Sequence, residues 1–208
     1  MSTPPVDTKP KRTEEIISEL KKEAYELKSI ADDDLKQSNY EHAITSYTDA
    51  IRKVKTLRGE YKLDQDSLNV LIKEIVVPSN LNMSYIDIKL TNWSDAINHC
   101  SKVLFADKDN TKALYRRCLA YINKENFEEA EKDLKTLQQK LPNSTELKLL
   151  VQNFEEKRKE VFAREGKKYK KIGNNKYVTD SKKGTPFKYG QTTYYLKGKK
   201  NSHWMRVK

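Results

Sequence analysis

From Thr13 onward, apolar residues recur at three- and four-residue steps. Ile16, Leu20, Ala24, Leu27 and Ala31 would share one face of a helix. The same period returns in NYEHAITSYTDAI, LNVLIKEIVVPSNLNMSYIDI, WSDAINHCSKVL, TKALYRRCLAYI, NFEEAEKDLKTLQQKL and LKLLVQNFEEKRKEVFARE. Ser38, followed three residues later by Glu41, predicts a capping box at the start of the second helix. Pro142 ends the helix over NFEEAEKDLKTLQQKL, and Asn143 with Glu146 predicts the start of a last helix reaching about Lys168. Pro78 should kink or bound the helix in which it lies. Residues 1–12 hold three of the six prolines and no periodicity, so they read as a disordered leader. Beyond Lys168 the period changes. TTYYL and HWMRV favour strands, LKGKKNS between them has hairpin composition, and NKYVTD could supply a third strand.

The helical part repeats itself. Tyr40 and Ala43, Trp93 and Ala96, and Phe127 and Ala130 are three aromatic-x-x-Ala pairs. The last two are 34 residues apart; the first two are 53 apart, which is the same period with a 19-residue insertion at about Lys55–Asp66. The insertion is expected to lengthen both facing helices of the first two repeats. Ala31, Ser84 and Cys118 fall at the matching small position of each first helix, where the second helix must approach closely. A 34-residue helix–turn–helix period is that of the tetratricopeptide repeat, or TPR. The expected fold is therefore all-α: three TPR hairpins and a C-terminal capping helix over residues 13–168. A small basic segment of β-hairpin composition follows over residues 169–208.

Composition sharpens that division. The net charge of +11 is not spread along the chain, because residues 166–208 carry thirteen Lys or Arg against one acid, Asp180. The remainder is almost neutral, and five of the six glycines lie in the basic segment. No apolar run is long enough for a membrane span, and the N-terminus has no apolar signal core. Cys100 and Cys118 both fall inside helices and read as buried thiols in a reducing compartment, cytoplasmic or nuclear. The histidines, His42, His99 and His203, are scattered and sit near no candidate nucleophile. With no phosphate loop, paired-carboxylate motif or metal-ligand spacing, no enzyme, metal or cofactor is expected.

One pair of charges stands out. Lys112 and Arg116 are four residues apart, so they project from one helix face about a turn apart and make a receptor for an anion. The local sequences LNMSYIDIKLTNWSDAINHCSKVL and DNTKALYRRCLAYI, and the insertion after the first repeat, resemble the three-repeat domains of the large cyclophilins and FKBP-type immunophilins. The resemblance covers about Ala24–Lys168 and leaves no room in 208 residues for an isomerase domain. It implies a carboxylate clamp for the acidic C-terminal tail, ending Glu-Glu-Val-Asp, of the 90-kDa or 70-kDa heat-shock chaperones. Carried over by position, the clamp falls on Lys28, Asp32, Asn82, Lys112 and Arg116. Lysine supplies point charges, arginine a two-pronged donor, and asparagine an amide that fixes ligand orientation. Asp32 departs from the pattern, since an asparagine is expected there; it adds a charge of the wrong sign and could pair with Lys28. Another acidic peptide as ligand, or no peptide at all, remain the other readings of this groove.

The basic segment lies outside the resemblance. Its alternative function is nucleic-acid binding, with Lys182, Lys183, Lys188, Lys199 and Lys200 on phosphates and Tyr194, Tyr195 and Trp204 stacking on bases. An acidic protein, an acidic membrane surface, or a purely structural role are the competing readings.

Overall fold

The computed structural model describes residues 8–166 and, beyond them, five strands between Tyr169 and Val207. Eight helices run in order: α1 (Thr8–Lys36), α2 (Tyr40–Gly59), α3 (Gln65–Leu71), α4 (Val77–Lys89), α5 (Trp93–Ala106), α6 (Thr111–Asn123), α7 (Phe127–Lys140) and α8 (Thr145–Gly166). Helix α1 starts ahead of the expected Thr13, and residues 1–7 of the expected leader lie outside the described residues. Helices α1 and α2, α4 and α5, and α6 and α7 pack as hairpins, and α4 is a neighbour of both α1 and α6. The first helices of the three hairpins therefore stand side by side.

The turn inside each hairpin is built identically. Ser38, Thr91 and Glu125 take left-handed backbone, with φ of 63°, 60° and 59°. The next residue is an asparagine each time, and its amide reaches back to the helix: Asn39 to Asp34 O at 2.8 Å, Asn92 to Asp87 O at 2.8 Å, Asn126 to Tyr121 O at 2.9 Å. This is the Schellman closure that satisfies carbonyls left open at a helix end. Ser38 is thus the residue that ends α1, and the expected capping box fails because Asn39 occupies the N-cap of α2. The start of α8 also differs from expectation. Ser144, not Asn143, accepts from Leu147 N at 3.2 Å and donates to Glu146 Oε2 at 2.7 Å.

The small positions do what close packing requires. Ala31 and Ala43, Ser84 and Ala96, and Cys118 and Ala130 are all fully buried, and the Cys118 thiol donates to Ala130 O at 3.5 Å. Around Ala31 and Ala43, Tyr47, Met83 and Ile86 fill one core, each contributing about 1.5–3 kcal/mol through burial. The insertion builds a second core. It extends α2 and adds α3, so that Val54, Leu57, Leu68, Leu71 and Ile75 close over Ala24 and Ala50. Between α3 and α4 lies a π-helical turn, Ile72–Val76, in which Val77 N–H bonds to Ile72 O. Pro78 follows at once, in the first turn of α4.

Grouped by contacts, the chain divides into Met1–Val151 and Gln152–Lys208. The division falls inside α8, whose Leu147 and Leu150 are buried. In the second unit, β1 (Tyr169–Lys171) pairs antiparallel with β2 (Tyr177–Thr179). Strands β3 (Phe187–Tyr189), β4 (Thr192–Lys197) and β5 (His203–Val207) form an antiparallel sheet in that order. The two strands expected at TTYYL and HWMRV are β4 and β5, with Leu196 opposite Trp204.

Candidate functional site

Helices α1, α4 and α6 each bring cationic or amide groups to their shared side. On α1, Lys28 and Asp32 are one turn apart and form an ion pair, Nζ to Oδ2 at 2.6 Å, with side chains 21% and 30% exposed. The other Asp32 oxygen accepts from the Tyr47 hydroxyl at 2.5 Å and from Asn82 Nδ2 at 3.1 Å. Asn82 Nδ2 also donates to the Tyr47 oxygen at 2.8 Å. Burial opposes ionisation of Asp32, but the donors Lys28, Tyr47 and Asn82 outweigh it and hold its carboxyl below the ordinary value. Burial, then the hydrogen bond to Asp32, pushes the Tyr47 hydroxyl well above its ordinary value, so it stays a donor.

On α6, Asn110 caps the helix by accepting from Ala113 N at 3.0 Å, which sets the phase that places Lys112 and Arg116 one turn apart. Arg116 crosses to α4, donating to Leu81 O at 2.5 Å and to Ser84 Oγ at 3.4 Å. Its guanidinium lies 5.4 Å from the Tyr85 ring centre. Burial lowers its basicity, though an arginine so placed remains charged. Lys112 is exposed, and among the described residues it makes no hydrogen bond or ion pair.

Lys28, Asp32 and Asn82 are thus brought into one network with Tyr47, and Arg116 sits beside Asn82 through Leu81. The arrangement differs from the expected one in its donors. The amide nitrogen of Asn82 and the charge of Lys28 are engaged by Asp32 and Tyr47. Lys112 and Arg116 carry the uncompensated positive charge. Two participants escaped the sequence reading. Tyr47 lies four residues after Ala43, on the buried face, and its reach to Asp32 depends on the crossing of α1 and α2. Tyr85 shares a face with Leu81 at a four-residue step, a signal present in the sequence.

Other ion pairs that couple hairpin helices lie elsewhere. Arg117 grips Asp133 with two bonds, at 2.9 and 2.7 Å, and reaches Ser101 Oγ at 3.3 Å. His99 Nδ1 lies 2.8 Å from Asp87 Oδ2, and His42 pairs with Asp34. Both histidines therefore tie the two helices of their own repeat together. Among the described residues there is no group of side chains that could hold a metal ion. Cys100 and Cys118 are free and buried, and no described helix is long and apolar enough to cross a membrane.

A family model of the tetratricopeptide repeat matches residues 88–154. The C-terminal TPR-containing domain of a Plasmodium falciparum FK506-binding protein superposes with a TM-score of 0.63 at 27% identity. That match covers 71% of this chain and 95% of the other. The helical unit has the tetratricopeptide-repeat fold. Its sequence is related to the TPR regions of immunophilins. Peptidyl-prolyl cis-trans isomerase D of Kluyveromyces lactis is 28% identical over 150 residues, 70% of this chain and 40% of that protein. Peptidyl-prolyl cis-trans isomerase FKBP4 of Homo sapiens is 28% identical over 134 residues, 64% of this chain and 28% of that protein. The chain thus spans well under half the length of these relatives. The Hsp90 co-chaperone Cns1 of Saccharomyces cerevisiae shares the TPR fold, with a TM-score of 0.51 at 22% identity over 74% of this chain and 43% of that one.

Of the residues proposed for nucleic acid, Lys188 lies in β3, Tyr194 and Tyr195 in β4, and Trp204 in β5. Lys182, Lys183, Lys199 and Lys200 lie outside the described residues. No relative and no described contact supports that reading, which rests on composition alone.

Proposed function

We propose that this TPR domain is a non-enzymatic adaptor that binds an acidic chain end, the Glu-Glu-Val-Asp type of tail of a 90-kDa or 70-kDa heat-shock chaperone, across α1, α4 and α6. The observation that carries the reading is the pair on α6. Lys112 is exposed and without a partner among the described residues, and Arg116 is held one turn away by Leu81 O. A chain ending in aspartate offers two adjacent carboxylates, one from the main chain and one from the side chain. Two cations one turn apart match them, and the relation to immunophilin TPR regions favours the same use of this face.

Asp32 makes this a clamp of reduced charge. Its pairing with Lys28 leaves the first repeat nearly neutral, so the ligand's charge falls mainly on the third repeat. The test is fluorescence anisotropy with a labelled pentapeptide ending Glu-Glu-Val-Asp and its amidated form. The free acid is expected to bind, and amidation to weaken it. Lys112→Ala removes one charge-assisted bond of about 1.5–3 kcal/mol, an affinity loss of roughly tenfold to 150-fold, with the melting temperature unchanged. Equal binding of both peptides, or of neither, overturns the proposal.

A further inference from the structure

Residues of α5, α6 and α7, with Lys108 between α5 and α6, line an open groove of about 490 Å³. Its floor is Leu104 and Leu114, both nearly buried, and beside them Phe105 stands 90% exposed at the end of α5. A phenylalanine so placed leaves nearly all its apolar surface uncovered by the repeats, a surface that a partner can bury. The rim is cationic. Lys108, Arg117 and Lys132 line the groove with Asp133, but that carboxylate is saturated by both prongs of Arg117. Lys132 is bridged to Glu129, whereas Lys108, and Lys102 one turn before Phe105, have no ion-pair partner among the described residues.

We propose that this groove is a second docking surface, for an acidic segment of a partner protein that inserts one apolar side chain against Phe105, Leu104 and Leu114. Charge decides the occupant. A second copy of this chain offers an almost neutral helical part and a strongly basic segment over residues 166–208, and neither complements a cationic rim. An acidic segment would meet Lys108 and Lys102 while its apolar anchor covers the phenylalanine. The site is independent of the side shared by α1, α4 and α6, because it reads carboxylates along a segment and needs no free chain end.

The test is a backbone amide NMR titration of the full chain with a doubly capped synthetic peptide, acetyl-Glu-Glu-Asp-Leu-Phe-Glu-Asp-Glu-Glu-amide. Its counterpart, with lysine for every acid, is the control. Shifts are expected at Ser101–Lys108 and Lys132–Thr136 with the acidic peptide only. Phe105→Asp and Lys108→Glu, both at exposed positions, should each weaken binding at least about tenfold. Shifts confined to Lys28, Asn82 and Lys112, equal binding of the lysine peptide, or an unchanged affinity in Phe105→Asp would overturn the proposal. A dimer in sedimentation velocity that Phe105→Asp dissolves would overturn it as well, by showing the occupant to be a second copy. Because the peptide has no free carboxyl end, failure of this test leaves the chain-end reading of the side shared by α1, α4 and α6 standing.

Discussion

Replacing Asp32 by asparagine should move stability and peptide affinity in opposite directions. In the wild type, Asp32 accepts from Lys28 at 2.6 Å, Tyr47 at 2.5 Å and Asn82 at 3.1 Å. Removing the charge breaks the Lys28 pair, a partly exposed i,i+4 contact contributing about 0.3–0.5 kcal/mol. It also turns the Tyr47 bond from charge-assisted to neutral, a loss of about 1 kcal/mol. Stability should fall by about 1–1.5 kcal/mol, or about 3–5 °C in Tm. For the ligand the sign reverses. A carboxylate about 6 Å from Asp32 is repelled by about 0.7 kcal/mol at the dielectric of water and about 2.8 kcal/mol at an effective value near 20. With physiological salt a gain of about 1–2 kcal/mol remains, or about five- to thirtyfold in affinity, and the freed Lys28 adds to it. The assays are thermal denaturation and anisotropy with the Glu-Glu-Val-Asp peptide. The pH dependence follows from the same contacts. Asp32 titrates below its ordinary 3.8 in the fold. Its stabilisation is therefore complete above that pH and is lost as acid carries the solution down through the lower, folded value. The asparagine variant should lack this part of the acid slope. A variant that melts lower but binds no more tightly would refute the reasoning, because Asp32 would then be a structural tie turned away from the ligand.

Two further outcomes test the frame. Thr91 is a β-branched residue at φ 60°. Left-handed backbone costs a residue with a Cβ about 1–2 kcal/mol, and glycine gives back about 0.5–1 kcal/mol through the unfolded chain. Thr91→Gly should therefore stabilise by about 0.5–1 kcal/mol in urea denaturation, and a loss of stability would refute the turn assignment. Burial pushes the thiols of Cys100 and Cys118 up to about 11 and about 12. Both should resist a disulfide reagent at pH 8 in the native protein and react fully in urea. Native labelling at the unfolded rate would show that the small positions are not closed.

The fold was legible because packing leaves a periodic mark. An alanine opposite Ala31, Ser84 or Cys118, three residues after an aromatic, records where two helices cross, and those positions are buried as expected. Strands β2, β4 and β5 were legible from the runs NKYVTD, TTYYL and HWMRV, while the three-residue strands β1 and β3 were not. Helix ends were less so, because Ser38 looks like a cap to local rules while the backbone uses it as a turn; the repeated asparagine at 39, 92 and 126 was the better signal. At the candidate site, Lys112 and Arg116 followed from a four-residue step. The self-pairing of Lys28, Asp32 and Asn82 through Tyr47 did not. It joins residues 50 positions apart, and only the crossing of α1, α2 and α4 sets their distances.

The wide turn ahead of Pro78 has a consequence for how this domain can vary. A π turn absorbs one extra residue without changing the direction in which the following helix points its side chains. The outer part of the first hairpin can thus lengthen or shorten while Asn82 keeps its heading. Deleting a single residue from 72–76 would return the turn to regular α-helix and keep that heading, whereas a deletion between Val77 and Asn82, with no wide turn to take it up, would rotate the amide by about 100° and swing it off Tyr47. The turn works as a phase adapter, separating the part of the repeat free to drift from the part that must keep its aim.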